Sequence, residues 1–494
     1  MEKLKEKIKK IEFYKKPAFW FFTFITILFL GNLYRMEYAT DTYCVFTSGS
    51  SESINTFIRA GRFLTALLLK ILFSLNLSER LMYLISFSIA MFSIIMSMYK
   101  LYKIIYKDIE NNKISIITST LIILNIFIIE LMLFFEKGIM ALSILFNVLA
   151  FEQMVKVFEG NKKNIIYVFI FMLLANCSYQ GTVALFIVLS MIYIFKKSKN
   201  IKDFILKNIL TALLYGIPAI INYISVRFLY GSERVTGSIN LKESILKIII
   251  NTLQILKNTW QIMPKWFFFS FLMMMLIIIG YKTFESEEKS SIKMKKIGGI
   301  IYIILGTIIS CVMPQLLQDT KSIWMVPRTV YALASLIGVI ILFLYSNFKV
   351  EKNLEKLILI VSIIYLSTQY FSFQKIIVDR YIINNEDKFI AESIENEIKE
   401  YEANTNIEVN KIVLCHDKEM MYTYQGMFVS GDMNVKAFLS DWSTLAVMKY
   451  YTGREFEIGK TNPEIQEYFE QKNWNTYNRD QIIIQEDTVY ICIF

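Results

Sequence analysis

Apolar runs separated by short lysine-bearing or polar breaks dominate the first three quarters of this chain. Several runs reach the roughly 20 residues that carry a helix across a bilayer. In order they predict eleven spans, at 17–36, 80–100, 114–134, 138–158, 164–178, 180–195, 208–228, 265–281, 297–317, 328–347 and 354–373. The first run is longer than the apolar part of a signal peptide, and no small-residue cleavage site follows it. The stretch 37–79 interrupts the pattern early. It turns polar from Thr47 to Ser53, then resumes helical spacing at Phe63, Leu67, Leu68, Ile71 and Leu72 with Arg62, Thr65 and Lys70 elsewhere. That pattern predicts a helix over 60–75 lying along the membrane surface rather than crossing it.

Beyond residue 373 the material changes. A helical period covers 386–403, strands are predicted at 411–415 and 435–439, helices at 443–452 and 463–472, and a hairpin closes the chain around Glu486 and Asp487. Alternating elements of this kind predict a small α/β domain. The two-part reading is a multi-span domain over 1–373 with an external loop at 37–79, and a second domain over 374–494.

Composition agrees. The chain has 494 residues, 55% hydrophobic and 19% charged, against roughly 25% charged in soluble domains. Residues 374–494 carry 12 Lys and Arg against 21 Asp and Glu, while the preceding 373 carry 41 against 22. The seven lysines before residue 17 place the N-terminus inside by the positive-inside rule, and lysine-bearing loops follow each even-numbered span. An odd number of spans then puts the C-terminus outside. The basic balance belongs to those inner loops, so nucleic acid is not an expected partner. Five cysteines are scattered without a CxxC, and His416 is the sole histidine, which excludes a clustered zinc site. No residue is assigned to a metal and no cofactor is assigned. A disulfide between Cys415 and Cys492 is left open.

All seven arginines before residue 374 (Arg35, Arg59, Arg62, Arg80, Arg227, Arg234 and Arg328) fall at or beyond predicted outer span ends. The inner charges are lysines. Topology needs only charge, but the guanidinium fork binds phosphate or carboxylate with two prongs. The outer face is therefore read as an anion site, with Arg328 after Pro327 and Arg62 after Gly61 foremost, and Arg59 beside them. The acids at that face are Asp41 past the first span, Glu136 in a tight turn between spans, and Asp319 near Arg328. Glu130 lies inside a predicted span, where it must snorkel or pair with an arginine. Tyr179 and Gln180 form a polar break between two short spans, a place where a cavity is often lined.

These pieces resemble the bacterial O-antigen glucosyltransferase family, the polytopic transferases associated with phage serotype conversion. The resemblance rests on the first loop with its acid, on Ala60-Gly61-Arg62 opening a helix, on Ser178-Tyr179-Gln180-Gly181, on Pro327-Arg328, and on 435–443. It implies a membrane fold of GT-C type, a polyprenyl-phosphate sugar donor, an outer glycan acceptor, and transfer with inversion. Asp41 is then the candidate base, and Arg328, Arg62 and Arg59 hold the donor phosphate. Tyr179 and Gln180 are then expected to contact substrate, and Glu136 and Asp319, read from their place at the outer face, are candidates beside them. The implied location is the bacterial cytoplasmic membrane, with 374–494 extracytoplasmic and a hexose such as glucose transferred. The family often pairs two acids in this loop, whereas Thr40 precedes Asp41 here. GT-C enzymes differ in metal use. Two alternatives stay open: a polysaccharide polymerase or ligase driven by external arginines without an aspartate base, and a flippase or transporter of lipid-linked sugars.

Overall fold

The computed structural model describes residues 16–230, 240–262, 267–317, 320, 323–418, 421–424, 426–427, 431–472, 474 and 477–493. The basic flank before residue 16, Arg234 and Asp319 lie outside the described residues. Apolar helices come first: α1 (Pro17–Leu30), α2 (Thr40–Thr47), α3 (Ser50–Arg59), α4 (Phe63–Ser74), α5 (Glu79–Ile109), α6 (Asn112–Ile123), α7 (Ile128–Met132), α8 (Lys137–Phe158), α9 (Ile165–Ser178), α10 (Ala184–Lys197) and α11 (Ile201–Tyr230). They continue as α12 (Leu241–Ile262), α13 (Phe267–Glu285), α14 (Ser290–Val312), α15 (Tyr331–Ala334), α16 (Leu336–Asn347) and α17 (Lys352–Thr405). Among the described residues nine helical segments are long and apolar enough to cross a membrane. The chain is a polytopic helical membrane protein.

Two of the eleven expected spans look different. The helix at 164–178 has only 14 residues as α9. The run 114–134 is broken: α6 ends at Ile123, and α7 restarts five residues later. Asn125 makes the break. Its side chain donates to the Ile122 carbonyl (3.0 Å) and to Ser335 Oγ (3.1 Å), and its carbonyl oxygen accepts from the Phe127 N–H (3.0 Å). Backbone groups freed at membrane depth must be satisfied by the protein, because lipid offers nothing. Here 117–141 is buried throughout, and Tyr331 Oη donates to the Ile123 carbonyl (2.6 Å) and Ser335 Oγ to the Ile122 carbonyl (2.7 Å).

Close helix crossings hold this region. Gly138, at the start of α8, sits so near α5 that a Cβ there would meet the Ser86 carbonyl at 2.6 Å. Ser86 Oγ donates to the Phe135 carbonyl (2.6 Å) and accepts from the Gly138 N–H (3.0 Å). Gly338 on α16 makes a similar approach to Ile122 on α6. Small residues let helix backbones meet where hydrophobic attraction is weak in lipid. The lipid-type faces lie elsewhere, for instance on α11, where Ile209, Leu213, Ile220 and Ile224 are exposed.

Helix α17 runs 54 residues without interruption. The expected boundary at 373/374 and the separate helix at 386–403 are therefore one rod. Past it, β1 (Lys411–Leu414), α18 (Asp441–Thr452), β2 (Glu457–Ile458), α19 (Pro463–Glu470), β3 (Ile482–Gln485) and β4 (Thr488–Ile491) follow. The sheet order is β2-β1-β4-β3, with β1 parallel to β2 and β4, and a β3–β4 hairpin. The strand expected at 435–439 is instead a buried loop. Its polar groups go to side chains rather than to a ladder: Arg380 Nη1 donates to the Val435 carbonyl (2.7 Å), and the Ala437 N–H donates to Asp387 (3.0 Å). Cys415 and Cys492 sit side by side past the ends of β1 and β4, both as buried thiols.

Candidate functional site

Ala39 caps α2, which puts Asp41 in its first turn, exposed. A carboxylate there is favoured by the helix dipole. The opposite face of α2 buries Tyr43, whose hydroxyl meets that of Tyr451 on α18 (3.1 Å). The tail thus helps fix the loop that carries Asp41.

The chain then turns twice through left-handed glycines, Gly49 before α3 and Gly61 before α4. The second turn sets Arg62. Gln180 Nε2 donates to the carbonyls of Ala60 (3.3 Å) and Gly61 (3.1 Å), and Asn222 Nδ2 donates to the Gly61 carbonyl (2.7 Å). A Cβ at residue 61 would run into Asn222 Oδ1, with Val226 also close. Gly61→Ala is therefore expected to cost about 1–3 kcal/mol and to lower the unfolding temperature in detergent. Gly216→Ala, on α11 with open space around it, is expected to leave it unchanged; equal behaviour of the two would remove the constraint.

Arg62 pairs with Glu136 (3.3 Å) and lies over the Tyr179 ring, 5.0 Å from its centroid. Burial raises the Glu136 carboxyl above its ordinary range. Arg62 opposes that shift, and Asp41 is near enough to add to it. Two acids therefore share this corner, one exposed and one enclosed.

Arg328 is also near enough to act on Tyr179. It follows Pro327 at the start of the 3-10 turn Pro327–Val330, which packs on Gly181, where a Cβ would meet the Arg328 carbonyl at 2.7 Å. Arg328 is buried, with 9% of its side chain exposed. It lies over the Phe134 ring (4.5 Å), pairs with Glu130 (3.0 Å) and pairs with Asp432. Glu130 is fully buried and accepts two backbone N–H groups, from Arg328 (2.6 Å) and Asp432 (2.8 Å). Of the two readings for Glu130, pairing with arginine is the one observed. Both guanidiniums act on Tyr179: burial pushes its phenol up, and Arg328 and Arg62 oppose that.

Arg62, Glu136, Tyr179 and Arg328, expected at the outer face, are thus one cluster with Asp41 at its edge. Gln180 is beside it, but its amide N–H groups go to the Ala60 and Gly61 carbonyls and to Asn222 Oδ1. Arg59 ends α3 exposed, with no ion pair among the described residues. Of the tail aromatics, Trp442 is exposed while Trp474 is core.

Three participants had no signal of their own in the sequence. Asp432 reads locally as a turn residue. Lys137 is fully buried and donates to the Tyr83 hydroxyl (2.5 Å). Glu37 is 2% exposed. Burial pushes the Glu37 carboxyl up to about 7, against the pull of Lys137, Arg380 and Arg35. A carboxyl that binds its proton more tightly when folded stabilises the fold below its ordinary value of 4.5 and loses that contribution as pH rises to about 7. Glu37→Gln is expected to flatten the fall of thermal stability across that window; parallel slopes would contradict it.

Among the described residues no three His, Cys, Asp or Glu side chains gather as a metal cluster would need. Comparison with protein-family models, curated proteins and solved structures returns no match. Chemically, the arrangement offers an exposed carboxylate near Glu136, which pairs with one of two guanidiniums drawn from segments over 260 residues apart (62 and 328). Such a pairing suits removal of a proton on one side and stabilisation of a departing anion on the other.

Proposed function

We propose that the protein is an inverting glycosyltransferase of GT-C type. It moves a hexose such as glucose from a polyprenyl-phosphate donor to a cell-surface glycan on the outer face of the membrane. Asp41 takes the proton of the acceptor hydroxyl as that oxygen bonds to the sugar's anomeric carbon. The bond from that carbon to the phosphate oxygen breaks, and polyprenyl phosphate leaves with the electron pair, its charge held by Arg328 and Arg62. Glu136 positions Arg62, and the Tyr179 ring supports the Arg62 guanidinium.

One observation carries the reading. Two guanidiniums, an aromatic that feels both and an exposed carboxylate gather from three segments distant in sequence, 41–62, 179 and 328. The lysine-bearing loops support the orientation: N-terminus inside, the site and 374–494 outside, as an extracytoplasmic α/β domain beside about eleven crossings.

The test is transfer by purified protein in detergent, from radiolabelled polyprenyl-phosphate glucose to the producing cell's own surface glycan. Label in the glycan is the expected result. No transfer from glucose or from other polyprenyl-phosphate hexoses would reject the reading. An arginine-driven polymerase or ligase is the second reading, favoured by the same guanidiniums, and it differs in having no need of Asp41.

A further inference from the structure

The residue that joins the tail to the anion site is Asp432. It lies on the turn Gly431–Asn434, entered and left by left-handed residues (Gly431 φ +60°, Asn434 φ +62°). The turn is pressed against the membrane part so closely that a Cβ on Gly431 would collide with Glu130 Oε1 and meet Pro327 at 2.9 Å. The Asp432 carboxylate binds Arg328 Nη2 and accepts from the Trp324 indole N–H (3.1 Å). Its backbone N–H donates to Glu130, 302 residues away in sequence.

This arrangement gives one guanidinium two carboxylates. A phosphate added to it would be a third anion on a single cation in a low-dielectric corner, where like charges repel strongly. One carboxylate has to yield, and the two are not alike. Glu130 is fully buried on α7, within the broken segment, and holds two backbone N–H groups. Its departure would strand buried charge. The Asp432 side chain is 24% exposed and belongs to a turn outside the spans. A carboxylate and a phosphate offer a guanidinium the same pair of acceptor oxygens. Arg328 also keeps unmet capacity: its Nε and Nη1 are buried with no well-aligned acceptor, which a phosphate's additional oxygens can supply.

We propose that Asp432 is the exchangeable counter-anion of a phosphate seat on Arg328, and that a lipid-linked phosphate enters by displacing it. The proposal rests on the donor assigned above and goes beyond it. Donor binding then also releases the Trp324 and Glu130 bonds to the turn, so the tail senses whether the donor is in place. The negative charge of Asp432, not its bulk, is what the phosphate competes with.

Binding of polyprenyl monophosphate, the leaving group itself, tests this. Full-length protein is reconstituted in phosphatidylcholine nanodiscs, and wild type is compared with Asp432→Asn. If nine molecules in ten are latched, unlatching tightens apparent binding about tenfold, and that is the expected shift. In wild type, polyprenyl phosphate is also expected to speed amide hydrogen exchange over 431–436. Equal or weaker binding by Asp432→Asn would overturn the exchange while leaving the donor seat standing. Absence of binding in both proteins would overturn the donor reading together with the exchange. Should Asp432→Asn fail to fold, Trp324→Phe loosens the same turn without touching charge. It is expected to tighten binding about twofold to threefold by the same arithmetic, and no gain there counts against the proposal. Inorganic phosphate and phosphatidylglycerol form the control arms. The same shift with inorganic phosphate would overturn the lipid part, because the seat would then read the phosphate group alone, and the same shift with phosphatidylglycerol would overturn the polyprenyl chain as the feature recognised.

Discussion

Asp41→Asn is expected to slow glycosyl transfer by at least about a hundredfold, the lower end of what a positioned general base contributes. The substitution keeps size and shape, so α2 should stay folded. Asp41 is exposed in a first turn, and losing its interaction with the helix dipole costs about 0.3–1 kcal/mol. The unfolding temperature should therefore fall little while turnover collapses. That split is what a reaction role predicts and a structural role does not. Rate is measured at saturating donor and acceptor, with thermal unfolding of the same preparation beside it. Undiminished transfer would put the base elsewhere, with Glu136 and Asp319 next, and would favour the arginine-driven polymerase. Glu136→Gln should differ in kind. Glu136 is enclosed and holds Arg62, so its loss should weaken donor binding as well as turnover.

Arg328→Ala is expected to destabilise the protein by about 3–5 kcal/mol, because it leaves Glu130 buried without its cation. The same change removes the main holder of the departing phosphate, so transfer should also vanish. One variant cannot separate these effects, but a pair can. In Arg328→Met with Glu130→Met, both buried charges are replaced by apolar bulk, which often restores or improves stability. The double variant is expected to unfold well above Arg328→Ala but below wild type, because the two backbone N–H groups held by Glu130 lose their acceptor, and still to transfer nothing. Activity in a stable double variant would show that the ion pair serves only the fold.

The reach of the sequence differs element by element. Arg62, Glu136, Tyr179 and Arg328 could be found because each is a polar exception at the mouth of an apolar run, where its cost demands a partner. Which partner could not be found. Glu130 lies 198 residues from Arg328, and Asp432 sits in a Gly-Asp-Met-Asn stretch that looks like any surface turn. The break at Asn125 was hidden because one amide among isoleucines barely alters the hydropathy of 114–134. Its effect comes from hydrogen bonds to Ser335, on a distant segment. Val435–Leu439 has strand-like residues, but the side chains of Arg380 and Asp387 satisfied its backbone before any strand could. The 373/374 boundary followed a real change from apolar to charged residues. The helical hydrogen-bond ladder is indifferent to that change, so α17 continued through it.

That uninterrupted helix has a mechanical meaning. At 1.5 Å per residue its 54 residues make a shaft of about 80 Å, of which the bilayer's hydrocarbon takes roughly 30 Å. A shaft conveys rotation as well as height. Each residue turns the chain by about 100°, so the angular setting of Arg380 and Asp387, which grip the 435–437 loop, is keyed to the setting of the buried span below. The tail is clocked to the membrane helices rather than tethered to them.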